Sequence, residues 1–270
     1  MKRIFILLVA VALVALPSCK NQSKASGETP DYTPGSEQVL TDELKANMEN
    51  LILSIKHAKP VLPMIQKNSS KVSLTEKEKM VKPNFLLDPT KTNSMVTLTQ
   101  KYRLLSMLDV DRTIAKLYDM PIDNYTATIT KLLAEINDPA LKEYFDRLPV
   151  EENVNDAFND MIAAAYRSGR ASLYWEGFAA GMIESLYITT RDLDKFMPMF
   201  DDQSVADITF NLVCAHENIT ALIDYYPEME ALNEILDPLY VLNAISVEQF
   251  RSQLLSVKSD IENSRAKLLK

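Results

Sequence analysis

Few residues in this 270-residue chain have the types and spacing that do chemistry. It contains two histidines, His57 and His216, and two cysteines, Cys19 and Cys214. In the run Cys214-Ala215-His216-Glu217 the thiol and the imidazole stand two positions apart, which on a helix turns them about 200° from each other. They cannot share a metal locally, and zinc asks for three or four converging ligands. Neither HExxH nor CxxC occurs, so no metal and no cofactor is expected. Phosphate loops, nucleophile elbows and dinucleotide fingerprints are missing as well. The paired acids Glu151-Glu152 and Asp201-Asp202 fall at expected helix N-termini, where they complement the helix dipole. No catalytic residue is assigned, and one acid, Glu184, stands apart.

Glu184 lies inside SLYWEGFAAGMIESLYITT, Ser172 to Thr190, a helical stretch that carries two of the chain's five glycines. Each glycine costs a helix about 1 kcal/mol relative to alanine, so Gly177 and Gly181 need a reason. At about 100° per residue, Leu173, Gly177, Ala180, Gly181, Glu184 and Ile188 share a narrow stripe, opposite Trp175, Phe178, Met182 and Leu186. Apolar residues on both sides mark a buried central helix. The glycines either admit a neighbouring backbone closer than the usual 8–10 Å or leave room for a ligand. A carboxylate on that stripe is costly unless paired. Glu184 is therefore read either as one half of an ion pair with Arg167, Arg170 or Arg191, or as a ligand-facing acid. In the second reading Tyr174, Trp175, Tyr187 and Arg191 complete a candidate ligand-binding set.

The elements that position this helix are expected to be helices too. Hydrophobic spacings of three and four recur from Val39 to Ile261, while period-two alternation and hairpin dipeptides are lacking. Expected features include a capping box at Ser73–Glu76, a bend near Asp109–Asp111 and a helix capped by Asp123. A helix starting at Asp138-Pro139 and a final helix opened by Ser246 and Gln249 are also expected. The fold class is all-α, an irregular antiparallel bundle of about eight to ten helices without a solenoid repeat.

The N-terminus reads as an address. Lys2 and Arg3 precede thirteen apolar residues, Ile4 to Leu16, too short to span a bilayer and laid out as an export signal. Leu16-Pro17-Ser18-Cys19 resembles the lipobox of bacterial lipoproteins, with Pro17 as a departure. The resemblance implies a signal at 1–18, lipid attachment at Cys19 and an unpaired Cys214. Two or more acyl chains, at ~0.8 kcal/mol per buried methylene, make a stable anchor. Residues 19–36 then form a flexible tether with a reach of about 20–25 Å, and 37–270 a single helical domain. Lys20, Asn21, Gln22, Ser23 and Lys24 supply no acidic cluster after the lipid site. This favours an outer-membrane protein that faces the periplasm.

The formal charge is −8, and without residues 1–18 it becomes −10, with 27 bases against 37 acids. That balance repels a phosphate backbone, so no nucleic-acid partner is expected. Met95–Met120 and Ala171–Thr190 are similar to segments of all-helical lipoproteins of Bacteroidetes-type bacteria. That resemblance implies a helical envelope protein and supplies no activity. The functional expectation is a non-enzymatic module that binds an envelope protein or a small ligand. The alternatives are an enzyme using carboxylates around Glu184 and a purely structural subunit.

Overall fold

The computed structural model describes residues 42–94, 97–148 and 154–270, all within the unit Glu37–Lys270. The expected signal, tether and lipid-attachment residue Cys19, together with Glu151-Glu152, lie outside the described residues. Every regular element described is helical: α1 Asp42–Ser54, α2 Val61–Ser69, α3 Glu76–Met80, α4 Leu98–Leu117, α5 Asp123–Ile136, α6 Pro139–Arg147 and α7 Val154–Arg167. After them come α8 Ala171–Arg191, α9 Leu193–Phe196, α10 Asp202–Leu222, α11 Met229–Leu236, α12 Val247–Ser256 and α13 Lys258–Leu268.

The thirteen α-helices among the described residues exceed the expected eight to ten. One extra helix, α9, is only four residues long, below the length at which apolar periodicity shows. Another arises because the expected final helix breaks at Val257 into α12 and α13. Through Asp109–Asp111, α4 continues as one helix.

Local signals explain most boundaries. Thr97 and Gln100 cap α4 reciprocally, as Asp201 and Ser204 cap α10. Asp138 accepts from the amides of Ala140 and Leu141, with Pro139 in the first turn of α6. Beyond α7, Gly169 adopts a φ of 75°, and the chain turns there into α8. The box expected at Ser73–Glu76 sits two residues later, between Thr75 and Glu78. Asp123 begins α5 without capping it. Ser246 caps α12, but the Gln249 side chain accepts from Ile245 rather than closing the box.

The bundle is organised around α8. All of its residues are buried except Phe178, Tyr187 and Arg191. It packs against α2, α4, α7, α10, α11, α12 and α13, which is why it is apolar on both sides. Along α4 the contacts rise in step: Arg103 meets Glu176, Ser106 faces Gly177 and Gly181, and Asp111 meets Glu184. This central pair therefore runs parallel, against the antiparallel expectation. Among the described residues no helix is long and apolar enough to cross a membrane.

Candidate functional site

The small-residue stripe of α8 is one continuous seam with α4, and its two halves differ in chemistry. In the first half, a Cβ added at Gly177 would stand 3.2 Å from Ser106 Oγ. One at Gly181 would meet Ser106 Cβ at 3.4 Å and Leu62 Cδ2 at 3.7 Å. The glycines thus bring α8 close to α4, with α2 alongside.

They also wall a cleft of ≈ 60 Å³ lined by Leu62, Tyr102, Leu105, Ser106, Tyr144, Phe158, Met161, Ala165, Tyr174 and Phe178, among others. Phe145 and Phe178, lining residues that stay half-buried, form its rim. Within the lining, aromatic rings form a chain that Trp175 backs. Tyr144 and Phe158 are 5.9 Å apart, Phe158 and Tyr174 6.2 Å, and Trp175 and Phe178 5.1 Å. Trp175 is anchored rather than available, because its Nε1–H donates to Tyr166 Oη at 2.7 Å and Tyr166 donates on to Asn218 at 3.0 Å.

The ionic group at the cleft is Asp138, and it is already satisfied. It accepts from Tyr102 Oη at 2.7 Å, from two backbone amides, and pairs with Arg170 at 3.2 Å. The cleft therefore presents aromatic and aliphatic walls without a free charge, which suits an uncharged ligand.

The second half of the seam holds Glu184. It is fully buried, and Arg265 of α13 grips it with two parallel bonds, Nε to Oε2 at 2.6 Å and Nη2 to Oε1 at 2.8 Å. Arg265 stacks on Tyr187 at 4.1 Å and also donates to the Phe85 carbonyl at 3.2 Å. Across the seam Asp111 is likewise fully buried and accepts from the Leu87 amide at 2.8 Å. Burial pushes both carboxyls above the ordinary range. Asp111 goes well above it, helped by the negative charge of Glu184, while Arg265 pulls Glu184 back in part.

No family model, curated protein or solved structure matches the chain.

The five expected ligand residues are divided along α8. Tyr174 lines the cleft and Trp175 packs behind it. Glu184, Tyr187 and Arg191 sit at the other end, with Arg191 exposed and paired to Glu262 at 3.4 Å. None of the three arginines expected for Glu184 reaches it: Arg167 holds Glu49, Arg170 holds Asp138 and Arg191 holds Glu262. Sequence reasoning missed Asp111, Arg265, Ser106 and Tyr102. The one available signal was Asp109 and Asp111 standing between Leu108, Val110 and Ile114.

Cys214 is buried and unpaired, and His216 is exposed with its ring 4.5 Å from that of Tyr240. Among the described residues no group of three ligating side chains could hold a metal.

Proposed function

We propose that the protein is a lipid-anchored envelope lipoprotein, held at the outer membrane through Cys19 and facing the periplasm. Its helical domain acts as a non-enzymatic binding module. Its ligand is small, uncharged and largely apolar, and enters the cleft between α4, α6, α7 and α8. The observation that carries this reading is the ≈ 60 Å³ cleft behind Gly177 and Gly181, walled by aromatic side chains and bordered by an already neutralised Asp138. It is smaller than the few hundred Å³ of a drug-sized site. It takes a chain end or the edge of one ring, and the rest of the ligand lies at the Phe145–Phe178 rim.

The separation of Glu184 from the cleft supports binding over carboxylate catalysis. Both of its oxygens are taken by Arg265, and it is not among the residues that line the cleft.

The test uses dodecanol and a neutral naphthylamine dye as probes, followed through Trp175 fluorescence. Saturable one-to-one binding is expected, with dodecanoate weaker because its charge has no free partner. Ala165→Leu adds volume to the lining and abolishes binding while leaving the protein folded. Absence of saturable binding, or binding that survives in Ala165→Leu, refutes the reading.

A second reading, docking of an envelope protein, rests on the exposed apolar residues Phe210 and Val213 of α10, 40% and 50% accessible, with Ile245 nearby in sequence to Ala244, which Thr209 contacts. It requires Phe210→Asp to abolish a specific cross-link to that partner without affecting dye binding.

A further inference from the structure

The cluster at the far end of the α4–α8 seam has an imbalance. Arg265 supplies one positive charge, whereas Asp111 and Glu184 offer two carboxyls, both fully buried. With both ionised the interior would hold a net negative charge, a state that water-excluded protein tolerates poorly. The hydrogen-bond pattern shows the same deficit. Asp111 Oδ2 accepts from Leu87, but Asp111 Oδ1 is buried without any partner, and it is the one such side-chain atom among the described residues. The neighbour within reach is the Glu184 carboxylate, itself an acceptor engaged by Arg265. Two acceptors facing each other make no bond unless a proton lies between them.

We propose that Asp111 and Glu184 form a one-proton site, in which Asp111 Oδ1–H donates to the Glu184 carboxylate and so latches the Phe85–Leu87 segment and α13 onto the α4–α8 core. The proton makes the triad of acid, carboxylate and guanidinium neutral and supplies the missing bond at Oδ1. The latch is specific because three elements close on it. Leu87 is held at both ends of its peptide unit, its amide by Asp111 at 2.8 Å and its carbonyl by Tyr125 Oη of α5 at 2.9 Å. Arg265 ties α13 to Glu184 and to the Phe85 carbonyl together.

Each titratable group facing the pair has a settled place. From α5 comes Tyr125, pushed upward by burial and by the neighbouring acids. From the connecting segment comes Asp88, exposed and bonded to Thr90. From α8 comes Tyr187 under Arg265, and from α13 Arg265 itself. On α4, Asp109 is occupied by Gln66 and Arg112.

A proton retained by the native state, but released by the unfolded chain above the ordinary carboxylate range, makes stability fall as pH rises. The fall continues until the native site gives the proton up. In that window one bound proton changes the unfolding constant by about tenfold per pH unit.

The experiment follows urea unfolding of the whole domain by Trp175 fluorescence from about pH 5 upward, beside the Asp111→Asn variant. Asparagine mimics the protonated acid, since its Nδ2–H donates to Glu184 while its Oδ1 accepts from Leu87. The expected result is that log K of unfolding for wild type rises one unit per pH unit more steeply than for Asp111→Asn. The Leu87 amide should lose hydrogen-exchange protection in wild type alone as the site deprotonates. Parallel pH profiles for the two proteins overturn the proposal. Should Asp111→Asn not fold, the carboxyl carbon of Asp111 in wild-type protein decides by NMR at pH 7. A protonated shift supports the site, and a carboxylate shift that titrates in the ordinary range overturns it.

Discussion

The glycine seam makes opposite forecasts for two chemically identical substitutions. Replacing a mid-helix glycine by alanine gains about 1 kcal/mol of helix propensity. At Gly181 the new methyl meets Ser106 Cβ at 3.4 Å and Leu62 Cδ2 at 3.7 Å, ordinary van der Waals distances. The gain survives, and Gly181→Ala raises the melting temperature by about 2–4 °C for a domain of this size. At Gly177 the methyl stands 3.2 Å from Ser106 Oγ, a few tenths of an ångström inside normal contact. The hydroxyl must turn away, and an off-rotamer displacement costs about 0.5–1.5 kcal/mol, so Gly177→Ala comes out near neutral or slightly destabilising. Removing the obstacle with Ser106→Ala restores the gain, which gives a coupling of about 0.5–1.5 kcal/mol between positions 106 and 177. Urea unfolding, read from the single and fully buried Trp175, measures all four corners of the cycle. A coupling of zero, or a Gly181→Ala variant destabilised by more than about 1 kcal/mol, refutes the account of the seam.

Arg265→Met strands Glu184 in the interior and costs about 3–5 kcal/mol, while Glu184→Leu together with Arg265→Met recovers most of it; equal losses in both would refute this in denaturant titrations. Tyr166→Phe removes the acceptor for Trp175 Nε1 and the donor to Asn218. It costs about 1–3 kcal/mol per orphaned group and moves Trp175 emission to the blue; unchanged emission would show that the bond does not form. Asp201 is held well below the usual carboxylate range by Lys71 and by Ser204 at the start of α10. Its contribution is present above that range and disappears as pH falls through the native value. Asp201→Asn should therefore flatten the acid limb of stability modestly, since the pair is exposed. Burial pushes the Cys214 thiol up to about 11, so a thiol reagent at neutral pH should label it only as fast as the domain opens. Rapid labelling of the native protein would contradict its placement in the core.

How much of this was legible before the structure follows from the range of each interaction. The α8 stripe was readable because helical period alone sets it, and Gly177, Gly181 and Glu184 all face α4 as that period requires. Pro139 in the first turn of α6 was readable because that signal depends on a few adjacent residues. The partner of Glu184 was not. Arg265 lies 81 residues away, and nothing local marks it among the last helix's bases. The three arginines near Glu184 in sequence were natural candidates, yet each meets a different acid first. Arg170 is held at the start of α8 beside Asp138, and Arg167 is a turn earlier on α7. Arg191, seven residues beyond Glu184, points out toward Glu262. Asp111 was misread because two acids in an apolar run look like an interruption. In the folded chain they do the reverse, since α4 continues unbroken there and each acid fastens a separate piece of chain: Asp109 binds Gln66 of α2, and Asp111 binds the Leu87 amide. A buried acid on an unbroken helix thus signals a tertiary bond whose other half only the fold reveals. Here that other half made Glu184, readable from sequence either as ion-paired or as ligand-facing, a carboxylate paired with Arg265 and sealed between α4, α8 and α13, apart from the aromatic cleft one to two turns earlier on the same stripe.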